Sequence, residues 1–182
     1  SIMNVYADNA ATTAVSDAAV AAMLPCFQEF YGNPSSLYTT GQLAAEKLAA
    51  AREIFARGLN AQPREITFTS GGSEADNQAL RSGAAMGARK GKKHIISTKF
   101  EHHAILHTLQ ALEKEGYEVT LLDIPPDGVV TAQQVKDAIR PDTCLVSIMF
   151  ANNEIGTIQP IGEIGDVCRE AGVLFHTDAV QA

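Results

Sequence analysis

Four kinds of polar side chain recur where the sequence predicts that a strand has just ended, and together they could serve one reaction. They are the Gly72-Ser73-Glu74 turn, His102 in Glu101-His102-His103, Asn153 in Asn152-Asn153-Glu154, and Asp178 with Gln181. The first lies in Phe68-Thr-Ser-Gly-Gly-Ser-Glu-Ala-Asp-Asn77. Glu65 to Thr69 is rich in β-branched and aromatic residues, which predicts a strand. Gly71-Gly72 break it, Ser73 stands at the N-cap position of a helix, and Glu74 and Asp76 fall in its first turn. A strand, two glycines and a helix start turn several backbone N–H groups toward one point at the positive end of the helix dipole, which suits a phosphate. The glycines allow close approach and the Ser73 hydroxyl adds a donor. The stretch is not Gly-x-Gly-x-x-Gly, and no Lys-Ser/Thr follows as in a P-loop. Alone, it is also the pattern of a tight turn with an ordinary cap.

The elements that must position these residues alternate regularly. Strands are predicted over His94 to Thr98, Tyr117 to Asp123, Cys144 to Ala151 and Val173 to Thr177. Between and before them the apolar spacing predicts helices. The first, capped by Ser16-Asp17, runs to about Phe30 with Val20, Met23, Leu24 and Phe27 on one face. A long helix covers Leu37 to Leu59, with Leu48, Ala51, Phe55 and Leu59 at helical spacing. Others cover residues 73–89, His102 to Lys114, Thr131 to Ile139 and Ile161 to Ala171. Strands alternating with helices predict an α/β fold with a mainly parallel sheet and helices on both faces. In such sheets ligands sit beyond the carboxyl ends of the strands. One rim therefore collects a phosphate cup, a histidine, an amide and a carboxylate.

Composition narrows the classes. The chain has 182 residues, enough for one domain, and its 46% hydrophobic content is that of a globular protein. Net charge is −7, and the densest basic run, Arg89-Lys90-Gly91-Lys92-Lys93, reads as a solvated loop, so no nucleic-acid partner is expected. No apolar stretch approaches a membrane span and no secretory signal is read ahead of Met3, so no membrane partner and a cytoplasmic location are expected. Ser1-Ile2 read as a remnant added ahead of Met3. Cys26, Cys144 and Cys168 are well separated and read as buried reduced thiols. His103 and His107 share the spacing of a metal pair, but a solvated helix face is the expectation and no metal is assigned.

A ligand with a phosphate, a flat ring and a basic ring nitrogen would use all four rim groups. A carboxylate facing a pyridine nitrogen keeps it protonated and makes the ring an electron sink. A histidine can stack on the ring and act as acid or base near neutral pH. The amides can bond a phenolic oxygen and a substrate carboxylate. That description is pyridoxal 5′-phosphate. The bland readings stand beside it: His102 as a cap or core histidine, Asp178 as a turn cap, Asn152-Asn153 as a turn. Asn152 is expected to be structural, and Glu154 has no assigned role.

Asp8-Asn-Ala-Ala-Thr-Thr13, Gly32-Asn-Pro-Ser-Ser36, Phe68-Thr-Ser-Gly71 with Glu74, Glu101-His-His-Ala104, Asn152-Asn-Glu-Ile-Gly156 and His176-Thr-Asp-Ala179 with Gln181 together resemble the NifS/IscS group of cysteine desulfurases, within the class V aminotransferase superfamily of fold-type I pyridoxal-phosphate enzymes. The resemblance runs from about Val5 to Ala182. It implies the following roles. Gly72, Ser73 and Glu74 belong to the phosphate cup, His102 stacks over the ring as the catalytic histidine, and Asn153 lies near cofactor and substrate carboxylate. Asp178 pairs with the ring nitrogen and Gln181 bonds the phenolic oxygen. It also implies an N-terminal segment over residues 1–15 that belongs to a small domain, and residues 16–182 as the first part of a large cofactor-binding domain. The implied activity takes sulfur from L-cysteine, leaves alanine, and passes a persulfide to an acceptor or scaffold protein for Fe–S clusters or sulfur-containing cofactors, in a homodimer.

There are departures. Gly72-Ser73 replaces the family's frequent Ala-Thr, Ala14 replaces a proline, and Tyr38-Thr39 stand where relatives often place a histidine. The sequence stops at Ala182, before the family's Ser-x-His-Lys segment with the Schiff-base lysine and before the loop with the persulfide cysteine. Residues 1–182 alone are therefore expected to lack desulfurase activity; sulfide release from L-cysteine above a cofactor-only control would refute this. Another enzyme of the superfamily (a selenocysteine lyase, an aminotransferase or a kynureninase-like hydrolase) and a non-catalytic truncated product are the competing readings. Asp8 to Thr13 are expected to be loosely held or docked onto a neighbouring copy, and the sheet to show an apolar edge.

Overall fold

The computed structural model describes residues 3–182. Ser1 and Ile2, read above as an added remnant, lie outside the described residues. The chain divides into two compact units, the first ending at Phe68 and the second running Thr69–Ala182.

The first unit holds helices α1 (Asp17–Gln28) and α2 (Thr39–Gly58). α1 starts at the predicted cap, with Ser16 Oγ accepting from the Ala19 N–H at 3.3 Å. The loop between the helices folds back on the start of α2. A Cβ on Gly41 would stand 2.6 Å from the carbonyls of Asn33 and Ser36, so only glycine permits that approach. The predicted apolar face of α1 is exposed at Met23, Leu24 and Phe27, and α2 exposes Leu48, Phe55 and Leu59 while burying Gly41, Ala44 and Ala56. The strand predicted over Glu65 to Thr69 does not form. Pro63–Glu65 make a 3-10 turn closed by the Glu65 carboxylate, which accepts from the Gln62 N–H at 2.7 Å. Ile66 is extended, but no strand among the described residues pairs with this segment. β-branched content makes a segment suited to a sheet; a neighbour makes it a strand.

The second unit contains α3 (Gly72–Ala88), β1 (His94–Thr98), α4 (His103–Lys114), β2 (Glu118–Leu122), α5 (Ala132–Ala138), β3 (Thr143–Ser147), α6 (Ile161–Glu170) and β4 (Leu174–His176). The four strands are parallel in the order β2-β1-β3-β4, the α/β architecture the sequence predicts. Alternate strand residues feed two cores. Ile95 and Leu145 join Leu80, Ile105 and Leu109 under α3 and α4. Ile96 and Val146 join Val135 and Ile164 under α5 and α6. Both faces of the central strands are covered, so β1 and β3 are buried throughout.

β3 is shorter than predicted, yet its continuation stays beside that of β4. The Ile148 N–H donates to the His176 carbonyl at 3.1 Å and the Phe150 N–H to the Asp178 carbonyl at 2.8 Å. Ala151 then bridges antiparallel to Ile158. The outer strands β2 and β4 each expose a leucine, Leu121 and Leu174. Cys144 and Cys168 are buried as expected, whereas Cys26 is exposed, because α1 buries none of its residues. Among the described residues no helix is long and apolar enough to cross a membrane.

Candidate functional site

All the predicted rim residues lie where chain leaves a strand's carboxyl end or enters α3. The helix there starts earlier than the sequence suggests. Gly71, not Ser73, is the N-cap, because the first turn closes when the Ala75 N–H donates to the Gly71 carbonyl at 3.1 Å. Ser73 is the second helical residue and is exposed. Glu74 reaches back over the turn, its Oε2 accepting from the Ser70 N–H at 2.7 Å and the Ser70 hydroxyl at 2.6 Å. Those two bonds hold the Glu74 carboxyl below its ordinary value. Glu74 thus shapes the turn. The N–H groups of Gly72, Ser73 and Glu74 find no acceptor among the described residues, leaving three donors at a helix N-terminus.

The chain after β4 closes on this turn. A Cβ on Gly72 would stand 2.9 Å from Val180 Cγ2, so the absence of a side chain brings the two segments together. Asp178, 7% exposed, leads into that approach. Its Oδ1 accepts from the Val180 N–H at 3.0 Å, so it does cap the turn, and Oδ2 is left for another partner. Gln181 is exposed beyond it.

The segments after β1 and β3 are bound to each other. Glu101 Oε1 accepts from Thr98 Oγ1 at 2.7 Å and from the Met149 N–H at 3.0 Å. Its Oε2 is buried with no partner, and the residue is 4% exposed. Burial pushes the Glu101 carboxyl up to about 7, with the charge of Asp178 adding to the rise; the bonds from Thr98 and Met149 and the nearness of His176 oppose it. Asn152 is structural, as expected. Its Nδ2 donates to the Phe100 carbonyl at 3.0 Å, and its Oδ1 accepts from the N–H groups of Glu154 and Ile155. Asn153, next in the chain, is exposed and makes no side-chain hydrogen bond among the described residues. His102 caps α4, its Nδ1 accepting from the Ala104 N–H at 3.1 Å, which leaves Nε2 as the free, protonated nitrogen of the neutral ring. His103 and His107 are exposed on α4.

The structure therefore joins the four rim segments by backbone and buried side chains. It leaves Ser73, His102, Asn153 and Gln181 exposed, with no hydrogen bond among them. The set fits a phosphorylated pyridine. The free donors suit the phosphate, and the unshared oxygen of the buried Asp178 suits a ring nitrogen. Sequence reasoning assigned no role to Glu101, Asp76, Ser147 or His176. The only signal for Glu101 and His176 was their place in the quoted motifs, Asp76 was noted only as an acidic residue in the first turn of its helix, and nothing pointed to Ser147.

The aminotransferase class-V family model matches residues 5–182. The chain belongs to that family. Cysteine desulfurase IscS of Clostridium botulinum is 54% identical over 178 residues, covering 98% of this chain and 45% of the relative. The IscS of Methanosarcina thermophila is 52% identical, covering 98% and 44%. A solved NifS-like protein superposes with a TM-score of 0.93 at 39% identity, over 99% of this chain and 50% of its own. The structure of SspA in complex with cysteine gives 0.90 at 41%, over 96% and 50%. The chain thus spans about half the length of the relatives it matches. The class-V family uses pyridoxal 5′-phosphate, the group inferred above from the rim chemistry.

Proposed function

We propose that this chain supplies the cofactor-holding rim of a cysteine desulfurase, which takes sulfur from L-cysteine and leaves alanine. The observation that carries this reading is the convergence of three free N–H donors at the start of α3 with a buried carboxylate, Asp178, through the Gly72–Val180 approach. Likeness to proteins named cysteine desulfurase supports the choice of substrate within the family.

Each residue then has a task. The Gly72, Ser73 and Glu74 N–H groups and the Ser73 hydroxyl hold the phosphate, and Glu74 keeps their turn closed through Ser70. Asp178 Oδ2 accepts from the ring nitrogen, and its Oδ1 bond to Val180 holds it in place. Gln181 donates to the phenolic oxygen, and Asn153 donates to the cofactor and the substrate carboxylate. His102 would stack against the ring. The Ala104 N–H occupies its Nδ1, so the proton it can exchange is on Nε2. Bound there, pyridoxal 5′-phosphate supplies the electron sink that stabilises a substrate carbanion.

Residues 1–15 are assigned to a small domain and 16–182 to the first part of the large one. The whole protein acts as a cytoplasmic homodimer that hands sulfur to an acceptor or scaffold protein, for Fe–S clusters or sulfur-containing cofactors. The test is alanine and sulfide production from L-cysteine by the whole protein with pyridoxal 5′-phosphate. Turnover that falls by about two orders of magnitude or more in Asp178→Ala is expected. Turnover of another amino acid with none of L-cysteine would overturn the reading.

A further inference from the structure

Across the face of the sheet that α3 covers, one row of side chains is polar where its neighbours are Ile95, Leu145 and other core residues. Ser97 Oγ on β1 donates to the Ser147 carbonyl on β3 at 2.8 Å. Ser147 is in register with His176 on β4, and His176 Nδ1 stands 2.9 Å from Ser147 Oγ. On the far side of the ring, Nε2 is 3.5 Å from Oδ1 of Asp76 in α3. Ser97 and Ser147 are fully buried and Asp76 is 5% exposed. Packing alone would be served as well by apolar groups here, since burying polar side chains costs desolvation.

The two ends of this row have meaningful neighbours. Asp76 sits in the turn that follows the free N–H groups of Gly72, Ser73 and Glu74. His176 ends β4 two residues before Asp178, and the Phe150 N–H bond to the Asp178 carbonyl keeps that short segment alongside the continuation of β3. With the Ser147 hydroxyl donating to Nδ1, the Nε2–H is directed at Asp76. The contact between Asp76 and His176 thus ties the helix that follows the anion-binding turn to the strand that leads into Asp178.

We propose that Asp76 and His176 are a positioning pair that sets the spacing between the anion-binding turn of α3 and Asp178, so that one ligand is held at its phosphate and its ring nitrogen at once. The inference rests on the cofactor reading above. A ligand held at two points gains from the fixed distance between them, and loosening that distance lowers the effective concentration of the second contact. A ligand that uses the turn alone gains nothing from it.

The test uses the whole protein without cofactor, and two probes measured by calorimetry. Pyridoxine 5′-phosphate carries the phosphate and the ring nitrogen but no aldehyde, so it binds without a covalent bond. Inorganic phosphate reports the turn alone. In Asp76→Ala and His176→Ala we expect affinity for pyridoxine 5′-phosphate to fall about tenfold while affinity for phosphate stays within about twofold. The double variant should be no worse than either single one, because the pair acts as a unit. Asp76→Asn, which keeps the size and an acceptor oxygen, should recover most of the loss, and it keeps the test open if the alanine variant fails to fold. Equal weakening of both probes, or no weakening of either, would overturn the positioning role. A wild-type protein that binds neither probe would instead overturn the cofactor reading itself, and this pair's role with it.

Discussion

Replacing Glu101 by glutamine should change the pH dependence of stability in a way that can be worked out in advance. Burial raises the folded-state carboxyl from its ordinary value near 4.5 to about 7, with Asp178 adding to the rise and Thr98, Met149 and His176 opposing it. Between those two pH values the folded protein binds a proton that the unfolded chain has released. The contribution of Glu101 is therefore fully present below about pH 4.5 and is lost as pH rises through about 7. At 1.36 kcal/mol per pKa unit, the loss is about 3 kcal/mol. Glutamine cannot ionise. Its amide oxygen can still accept from Thr98 and the Met149 N–H, but its NH2 faces the place where Oε2 has no partner, at a cost of about 1–3 kcal/mol. The variant should be the less stable protein at pH 4.5 and should close the gap or overtake the wild type by pH 8. Urea unfolding of the cofactor-free protein across this range measures it, and the wild-type-minus-variant difference cancels the titrating groups that do not interact with Glu101, leaving its own change together with its coupling to Asp178 and His176. A difference that stays constant from pH 4.5 to 8 would show that burial does not raise the Glu101 carboxyl above its unfolded value, and would refute the reasoning.

Other consequences are simpler to state. Ser73→Ala should weaken inorganic phosphate binding by about three- to tenfold, read by calorimetry, since it removes one hydroxyl donor and leaves the N–H groups of the turn. Asn152→Ala should lower the urea-derived stability by about 2 kcal/mol, because the Phe100 carbonyl and the Glu154 and Ile155 N–H groups lose their buried partner. Leu109→Ala, in the core under α3 and α4, should cost about 2–5 kcal/mol in the same assay. His94 bonds Thr143 and Thr120 through its two ring nitrogens, and burial holds its pKa below 6.5, so its contribution is present above that value and is lost as pH falls. Replacing it with glutamine should flatten the acid side of the stability profile.

The regular elements were legible because periodicity and local chemistry decide them. β1 ends where predicted, α1 begins at its predicted cap, and α5 is closed by the Thr131–Gln134 capping box. Failures fell where a distant partner decides. Ile66 to Thr69 have the composition of a strand and no neighbour to pair with. α3 starts at Gly72 because the Gly71 carbonyl receives the first bond, which no residue type announces. The apolar stripe of α1 has the right spacing, and its burial was never a property of the stripe itself.

The same division runs through the site. Ser73, His102, Asn153 and Gln181 were found in the sequence because their chemistry is that of groups that touch ligands, and all four are exposed. Glu101, Asn152, Asp76 and His176 hold the rim from below and are largely buried, and their roles depend on contacts between segments about 30 to 100 residues apart. Glu101 shows why the second group matters to the first. Its Oε1 fixes the backbone at Met149, four residues before Asn153, and its own backbone leads directly into His102. Moving that one carboxylate would shift an amide and an imidazole together, although it touches neither. Residues of this kind set the geometry within which the ligand-facing groups act; Asp178 and the structural role of Asn152 were legible although both are buried, but the partners that hold them were not.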